Sequence, residues 1–251
     1  MIQLRQYQQD IINQVKSKWG EGKKRLVVCS PGGSGKTVMF SYMSKQAMNK
    51  GSKVLILTHR EELLSQTSGT LVKFGLHPAI VTAGIKMPPT ESVCVGMVET
   101  VINRLSSVKW REWYESINLV VCDECHMQEF NRLFDDPLTK EKYVLGFSAT
   151  PRRTGKQRQL SDDYEGMVTG LDVQQLINMG FLVPDRYFSV PVDLKGVSVS
   201  KGEFDNAQMY DRYNQQELYA GVIDNWKRIC PDTITLVFCC NIQHSINTRV
   251  S

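Results

Sequence analysis

"VVCSPGGSGKTVMF" (Val27–Phe40) is the stretch whose reading decides the fold. A β-branched apolar run breaks into a glycine-rich turn, and a helical pattern starts at once. Gly32, Gly33 and Gly35 let the backbone turn tightly and point its N–H groups at an anion. Ser34 lies in the same turn, and a helix opening there adds the positive end of its dipole. At the head of that helix Lys36 is placed to reach the β- and γ-phosphates of a nucleotide, and Thr37 to ligate Mg2+. The strict pattern G-x-x-x-x-G-K-[ST] has glycine where this chain has Ser30. Serine is small, so the turn is expected to survive.

A phosphate loop of this kind works with acidic partners from another strand. One carboxylate holds Mg2+ through water, and a second polarises the attacking water. "NLVVCDECHM" (Asn118–Met127) supplies both, Asp123 for the metal and Glu124 as general base. The same letters spell C-x-x-C-H, a haem-attachment signature. Haem attachment needs two exposed thiols, whereas Cys122 continues a buried-strand pattern. Zinc needs a second ligand pair, for which Cys94 is a modest candidate. The loop upstream therefore favours a nucleotide site, with His126 beside it.

Further out, "RLVVCS" (25–30), "KVLILT" (53–58), "SVCVGM" (92–97), "NLVVCD" (118–123) and "YVLGFS" (143–148) are short and apolar on both alternations. Such runs suit strands buried on both faces of a parallel sheet. Helical patterns at 36–50, 60–74 and 99–105 separate several of them. Together they predict an α/β, doubly wound domain with a mostly parallel sheet. Ligands of such sheets bind beyond the carboxyl ends of the strands, where these motifs fall. Residues 167–190 read as a short helix, a glycine stop and an extended segment, and 193–207 as a polar linker. A helix is predicted over 208–229, with Leu218, Val222, Trp226 and Ile229 on one face. "TITLVFCC" (233–240) reads as another buried strand.

In 251 residues, 41% hydrophobic content is enough for a core, and 22% charged content sets the chain apart from disordered sequences. A net charge of +4 permits a polyanionic partner without demanding one. "PRRTGKQR" (151–158) is more telling, since it gathers Arg152, Arg153, Lys156 and Arg158 as a candidate phosphate-contacting loop. No apolar run approaches a membrane span. The polar start, "MIQLRQYQQD", shows no secretory pattern, so the seven cysteines are expected as reduced thiols.

Taken in order, "LRQYQQDII" (4–12), "SPGGSGKT" (30–37), "THREELLSQ" (58–66), "GMVETV" (96–101), "DECH" (123–126), "GFSATPRR" (146–153) and "TLVFCCNIQHS" (235–245) resemble the motifs of superfamily 2 helicases and translocases. The flavour resembles phage and bacterial DEAD/DEAH-box repair helicases. The resemblance implies a RecA-like P-loop NTPase lobe over 1–192, a linker over 193–207, and the start of a second RecA-like lobe over 208–251. It implies that Gln8 contacts adenine with Arg5 assisting. It implies that Lys36, Asp123, Glu124 and His126 form the catalytic set for ATP and Mg2+. Thr58, His59, Arg60 and Thr100 would touch the nucleic-acid backbone, while Ser148, Thr150 and His126 couple hydrolysis to strand movement. Glu99 departs from the pattern, standing where glutamine is common.

The partner implied is nucleic acid, DNA ahead of RNA, held by its backbone and so largely blind to sequence. A membrane is not implied; the cytoplasm of a bacterium or phage-infected cell is. Such motors hold ATP between two lobes, and the second supplies an arginine finger worth roughly 10³–10⁵ in turnover. With only the start of that lobe in 208–251, the chain is expected to behave as a motor fragment, weakly active alone or completed by a partner chain. Three readings stay open. They are the motor lobe of a nucleic-acid-dependent ATPase, a binding module in which hydrolysis no longer matters, and a lobe completed in trans within a restriction or repair complex.

Overall fold

A strand that is apolar at every position has to be covered on both faces, and the computed structural model uses the runs in this way. It describes residues 3–153, 158–188, 195–200, 203–213 and 224–247. The chain divides into two units, Met1–Asp185 and Arg186–Ser251. The first begins with α1 (Gln6–Gly20), β1 (Arg25–Cys29), α2 (Lys36–Met48), β2 (Val54–Thr58), α3 (Glu61–Lys73) and β3 (Ala79–Val81). It continues with β4 (Val93–Met97), α4 (Val98–Arg104), α5 (Val108–Glu115), β5 (Leu119–Asp123), α6 (Asn131–Asp135) and α7 (Pro137–Glu141). It ends with β6 (Tyr143–Ser148), α8 (Leu160–Asp163), β7 (Gly166–Thr169) and α9 (Val173–Asn178).

The seven strands form one sheet in the order β3-β4-β2-β5-β6-β1-β7, and every neighbouring pair is parallel. Leu26, Val28, Val54, Ile56, Val121, Leu145 and Phe147 join one core cluster with Ile11 and Val15 of α1, Met39 and Phe40 of α2, and Leu71 of α3. Val27, Leu55, Leu57, Val120, Cys122 and Val144 join the other, against Val101 of α4, Trp110, Trp113 and Tyr114 of α5, and Phe134 of α6. Successive residues of one strand thus enter opposite clusters, as the two-residue side-chain period requires. Each such burial stabilises the fold by about 1.5–3 kcal/mol.

All five strands read from the apolar runs are present within a residue of their expected bounds. Two strands were not foreseen. β3 has three residues, too few to show a period. β7 falls where a helix was expected, because β1 offers it a free edge in the register Leu26↔Gly166 to Cys29↔Thr169. The helix of that stretch is the six-residue α9, opened by Asp172, whose side chain accepts the Gln175 N–H at 2.7 Å.

In the second unit, β8 (Val199–Ser200) and β9 (Glu203–Phe204) pair antiparallel ahead of α10 (Asn206–Tyr213). Residues 224–229 and Ile242–Asn247 are helical. Of the helix expected over 208–229, Leu218 and Val222 lie outside the described residues. The strand expected at 233–240 is a correction. This stretch joins no ladder among the described residues, and Ile234, Leu236 and Phe238 are exposed. An apolar run states that a sheet is wanted, and without a paired neighbour its N–H and C=O groups have no reason to align. No helix among the described residues is long and apolar enough to cross a membrane.

Gly146 is the most closely packed of the strand glycines. A Cβ there would stand 2.7 Å from both Cys125 Sγ and Tyr164 OH. Gly146→Ala is expected to lower stability by about 1–3 kcal/mol through overpacking, read as a lower denaturant midpoint at unchanged slope.

Candidate functional site

β6 lies between β1 and β5, so the carboxyl ends of the three strands stand side by side. The backbone joins them there. Ser30 N donates to Ser148 O at 3.0 Å, and Cys125 N to Phe147 O at 3.0 Å. The loop after β1 turns through Gly33 and Gly35, at φ +74° and +82°, and opens directly into α2. The first amides of α2 have no partner within the helix and face outward with its positive end. α1 grips the loop. Tyr7 OH donates to Ser34 O at 2.7 Å and Gln8 Nε2 to the same oxygen at 3.0 Å. Gln8 is buried, and its Oε1 accepts the Arg5 N–H. Arg5 lies over the Phe181 ring, 4.3 Å from its centroid.

Ser30 is compatible with this loop. Among the described residues only Glu124 and Asp232 have positive φ without being glycine, so position 30 needs no glycine. Ser30 Oγ donates to Ser34 Oγ at 2.8 Å, and Ser34 Oγ donates to Pro31 O at 2.7 Å. The hydroxyl therefore cross-ties the turn.

Lys36 Nζ sits 3.4 Å from Ser30 O and 3.3 Å from Glu124 Oε1. Glu124 Oε2 is 3.5 Å from His126 Nδ1, which is 2.9 Å from Ser148 Oγ. Thr150 N donates to that same hydroxyl at 3.0 Å. Lys36, Glu124, His126, Ser148 and Thr150 thus form one polar chain running from β1 to β5 and back to β6. Glu124 holds φ +52°, a left-handed conformation costing about 1–2 kcal/mol for a side chain of its kind. Strain of this sort persists where the surroundings over-determine it. Asp123 is buried at the end of β5. Burial first, and then the Glu124 charge, raise its pKa to about 6, against the pull of Lys36.

Cys122 and Cys125 are fully buried in the core cluster beneath the turn. Burial pushes the Cys125 thiol up to about 12 and Cys122 well above its ordinary range. The C-x-x-C-H letters are therefore core packing around an acidic turn. Thr37, at the head of α2, and Asp123 offer a hydroxyl and a carboxylate, a hard oxygen set that suits Mg2+.

Further along the same edge stand the ends of β2 and β4. Thr58 is fully buried, and its hydroxyl donates to Arg60 O at 3.1 Å. His59 is half-buried, and burial followed by the Arg60 charge lowers its pKa. Arg60 and Thr150 are exposed, and Thr100 is half-buried on α4. The basic loop is a correction. Arg153 is 3% exposed and paired with Asp163, while Arg158 is bound to Asp135 and Asp163. Arg152 is exposed, and Lys156 lies outside the described residues. Charge density alone could not reveal that Arg153 is enclosed and Arg158 held in ion pairs. The grip of Tyr7 and the Ser30–Ser34 bond were also not foreseen, because each depends on elements that meet only in the fold.

A parallel sheet carrying a phosphate loop on β1, an acidic turn on β5 and a polar relay at the end of β6 is the first RecA-like lobe of a superfamily 2 helicase, an ATP-binding motor lobe. Residues 1–153 match the family of the type III restriction enzyme res subunit, and the chain belongs to that family. It is similar to a 51.5 kDa protein of Lactococcus phage (isolate 7-9), 31% identical over 189 residues, covering 74% of this chain and 37% of that one. It is 30% identical over 235 residues to the putative ATP-dependent helicase IRC3 of Saccharomyces cerevisiae, covering 86% and 33%. The chain therefore spans about a third of the length of these relatives. The type ISP restriction-modification enzyme LlaGI, solved with a DNA substrate mimic, shares the fold at a TM-score of 0.58 and 14% identity, over 93% of this chain and 25% of that one.

The raised pKa of Asp123 has a stability signature. The fold favours its protonated form, so its contribution is full below the ordinary value of 3.8 and is lost as pH rises through about 6. In metal-free buffer, wild type is expected to lose about 3 kcal/mol relative to Asp123→Asn between pH 3.5 and 7. Urea unfolding of both proteins across that range measures it.

Proposed function

We propose that this lobe binds ATP with Mg2+ and hydrolyses it in response to nucleic acid, with DNA as the nucleic acid. The observation that carries the reading is the Lys36 ammonium, held between Ser30 O and the Glu124 carboxylate at the mouth of α2. The loop amides and Lys36 take the phosphates. Lys36 exchanges its contact with Glu124 for the γ-phosphate, which frees that carboxylate to accept a proton from water. Mg2+, when bound through Thr37 and Asp123, neutralises charge on the phosphates. Asp123, desolvated and beside Glu124, would be held in its charged form by that ion. Arg5 and Gln8 flank the loop where adenine is met, and Gln8 trades its bond to Ser34 or Arg5 for the base.

His59, Arg60 and Thr100 line the edge where a nucleic-acid backbone is met, beside Thr58. The His126–Ser148–Thr150 relay joins the acidic turn to the end of β6. The second RecA-like lobe of such a motor, on this or another polypeptide, supplies the arginine finger. The relatives support DNA and a restriction setting. One is named an ATP-dependent helicase, the family takes its description from a restriction enzyme subunit, and the LlaGI structure holds a DNA mimic.

ATP binding and turnover, with and without DNA, test this in wild type, Lys36→Ala and Glu124→Gln. Lys36→Ala is expected to abolish nucleotide binding. Glu124→Gln is expected to bind ATP but lose turnover by about 10²–10⁴. DNA affinity should fall steeply with added salt. A wild type that binds no ATP, or turnover unchanged in Glu124→Gln, overturns the reading.

A further inference from the structure

Arg153 is the second arginine after the Ser148–Thr150 segment, and its guanidinium is fully enclosed. Its Nη1 donates to Asp163 Oδ2 at 2.8 Å, and to Arg158 O and Gln159 O at 3.2 and 3.5 Å. Its remaining donors turn toward the acidic turn. Nε donates to His126 O at 3.3 Å and Nη2 to Cys125 O at 3.4 Å. One planar fork thus ties the two residues after Glu124 to both ends of α8, Asp163 at its close and the Arg158 and Gln159 carbonyls at its start.

A buried ion pair adds little net stability over an apolar pair of the same shape. What it adds here is geometry. Glu124 is held at φ +52°, and such a conformation lasts where neighbours enforce it. Cys125 N on Phe147 O and Met127 N on Glu124 O, both at 3.0 Å, restrain the amides of the turn. The carbonyls of Cys125 and His126 are restrained by Arg153.

We propose that Arg153, locked by Asp163, is a positioning residue for the acidic turn. It holds the Cys125 and His126 backbone so that Glu124 keeps the left-handed conformation aiming its carboxylate at Lys36. In its catalytic consequence the inference rests on Glu124 acting as general base. Lysine cannot replace the fork, because a single ammonium does not span two carbonyls and a carboxylate with fixed geometry.

The test uses the whole chain with Arg153→Lys, Glu124→Gln, the double variant, and Arg158→Gln. Arg158→Gln removes the other partner of Asp163 without touching the turn. Arg153→Lys is expected to lower kcat about tenfold to a hundredfold while affinity for a fluorescent ATP analogue stays within about twofold. In the Glu124→Gln background it should cause no further loss, because both act through one group. Amide exchange at Cys125 and Met127 should quicken in Arg153→Lys and stay as in wild type in Arg158→Gln. Should Arg153→Lys not fold, Asp163→Asn is expected to give the same kcat-without-affinity loss in milder form. Losses that multiply in the double variant, or that Arg158→Gln matches, overturn the proposal. If wild type binds no ATP, the functional reading falls alone. Amide exchange then decides the positioning role, and unchanged exchange in Arg153→Lys ends it.

Discussion

The last two carbonyls of β6 receive one amide from each neighbouring loop, Ser30 N on Ser148 and Cys125 N on Phe147. Everything chemical in the lobe hangs on that pair of bonds. β1 and β5 are two strand spacings apart, about 10 Å, too far for short side chains to meet. The gap is closed from both sides. Lys36 contributes a long flexible stem, and Glu124 a backbone bent into a left-handed turn. The sheet sets the spacing, and the two amides stop either loop from drifting off it.

Such placement has an energetic cost within the fold. Asp123 is kept where water cannot stabilise its charge, Glu124 is held in a disfavoured conformation, and Arg153 is buried with Asp163. Each is expensive alone. The inner strands, buried on both faces, supply the compensating stability, since dozens of apolar side chains each contribute on the order of a kcal/mol or more. The site is therefore concentrated on one edge, and the strained residues lie within a few positions of the strand ends.

Much of this was legible in the sequence because parallel strands must be apolar throughout. Five runs could be recognised without knowing their neighbours, and their last residues marked the edge on which the candidate site stands. The phosphate loop and acidic turn were legible for the same reason: each follows its strand directly, so spacing along the chain is spacing in the fold. Contacts between distant segments were not legible. Nothing in "LRQYQ" announces that Tyr7 OH will meet Ser34 O, 27 residues on. Nothing in "PRRTGKQR" separates the exposed Arg152 from the buried Arg153, because the difference is made by Asp163 and by carbonyls of another loop. β7 was misread because its partner strand, not its own composition, makes it a strand.

Ser30 carries a consequence beyond geometry. Glycine explores more backbone states than any other residue, so the unfolded chain of a loop with glycine at that position has more freedom to lose. A serine whose φ is already suited to the fold narrows that ensemble, an effect of about 0.4–1 kcal/mol in comparable replacements. The hydroxyl bridge to Ser34 separately restrains the turn in the folded state. For a phosphate bound at this loop as proposed, less ordering of the amides is then left for binding to do.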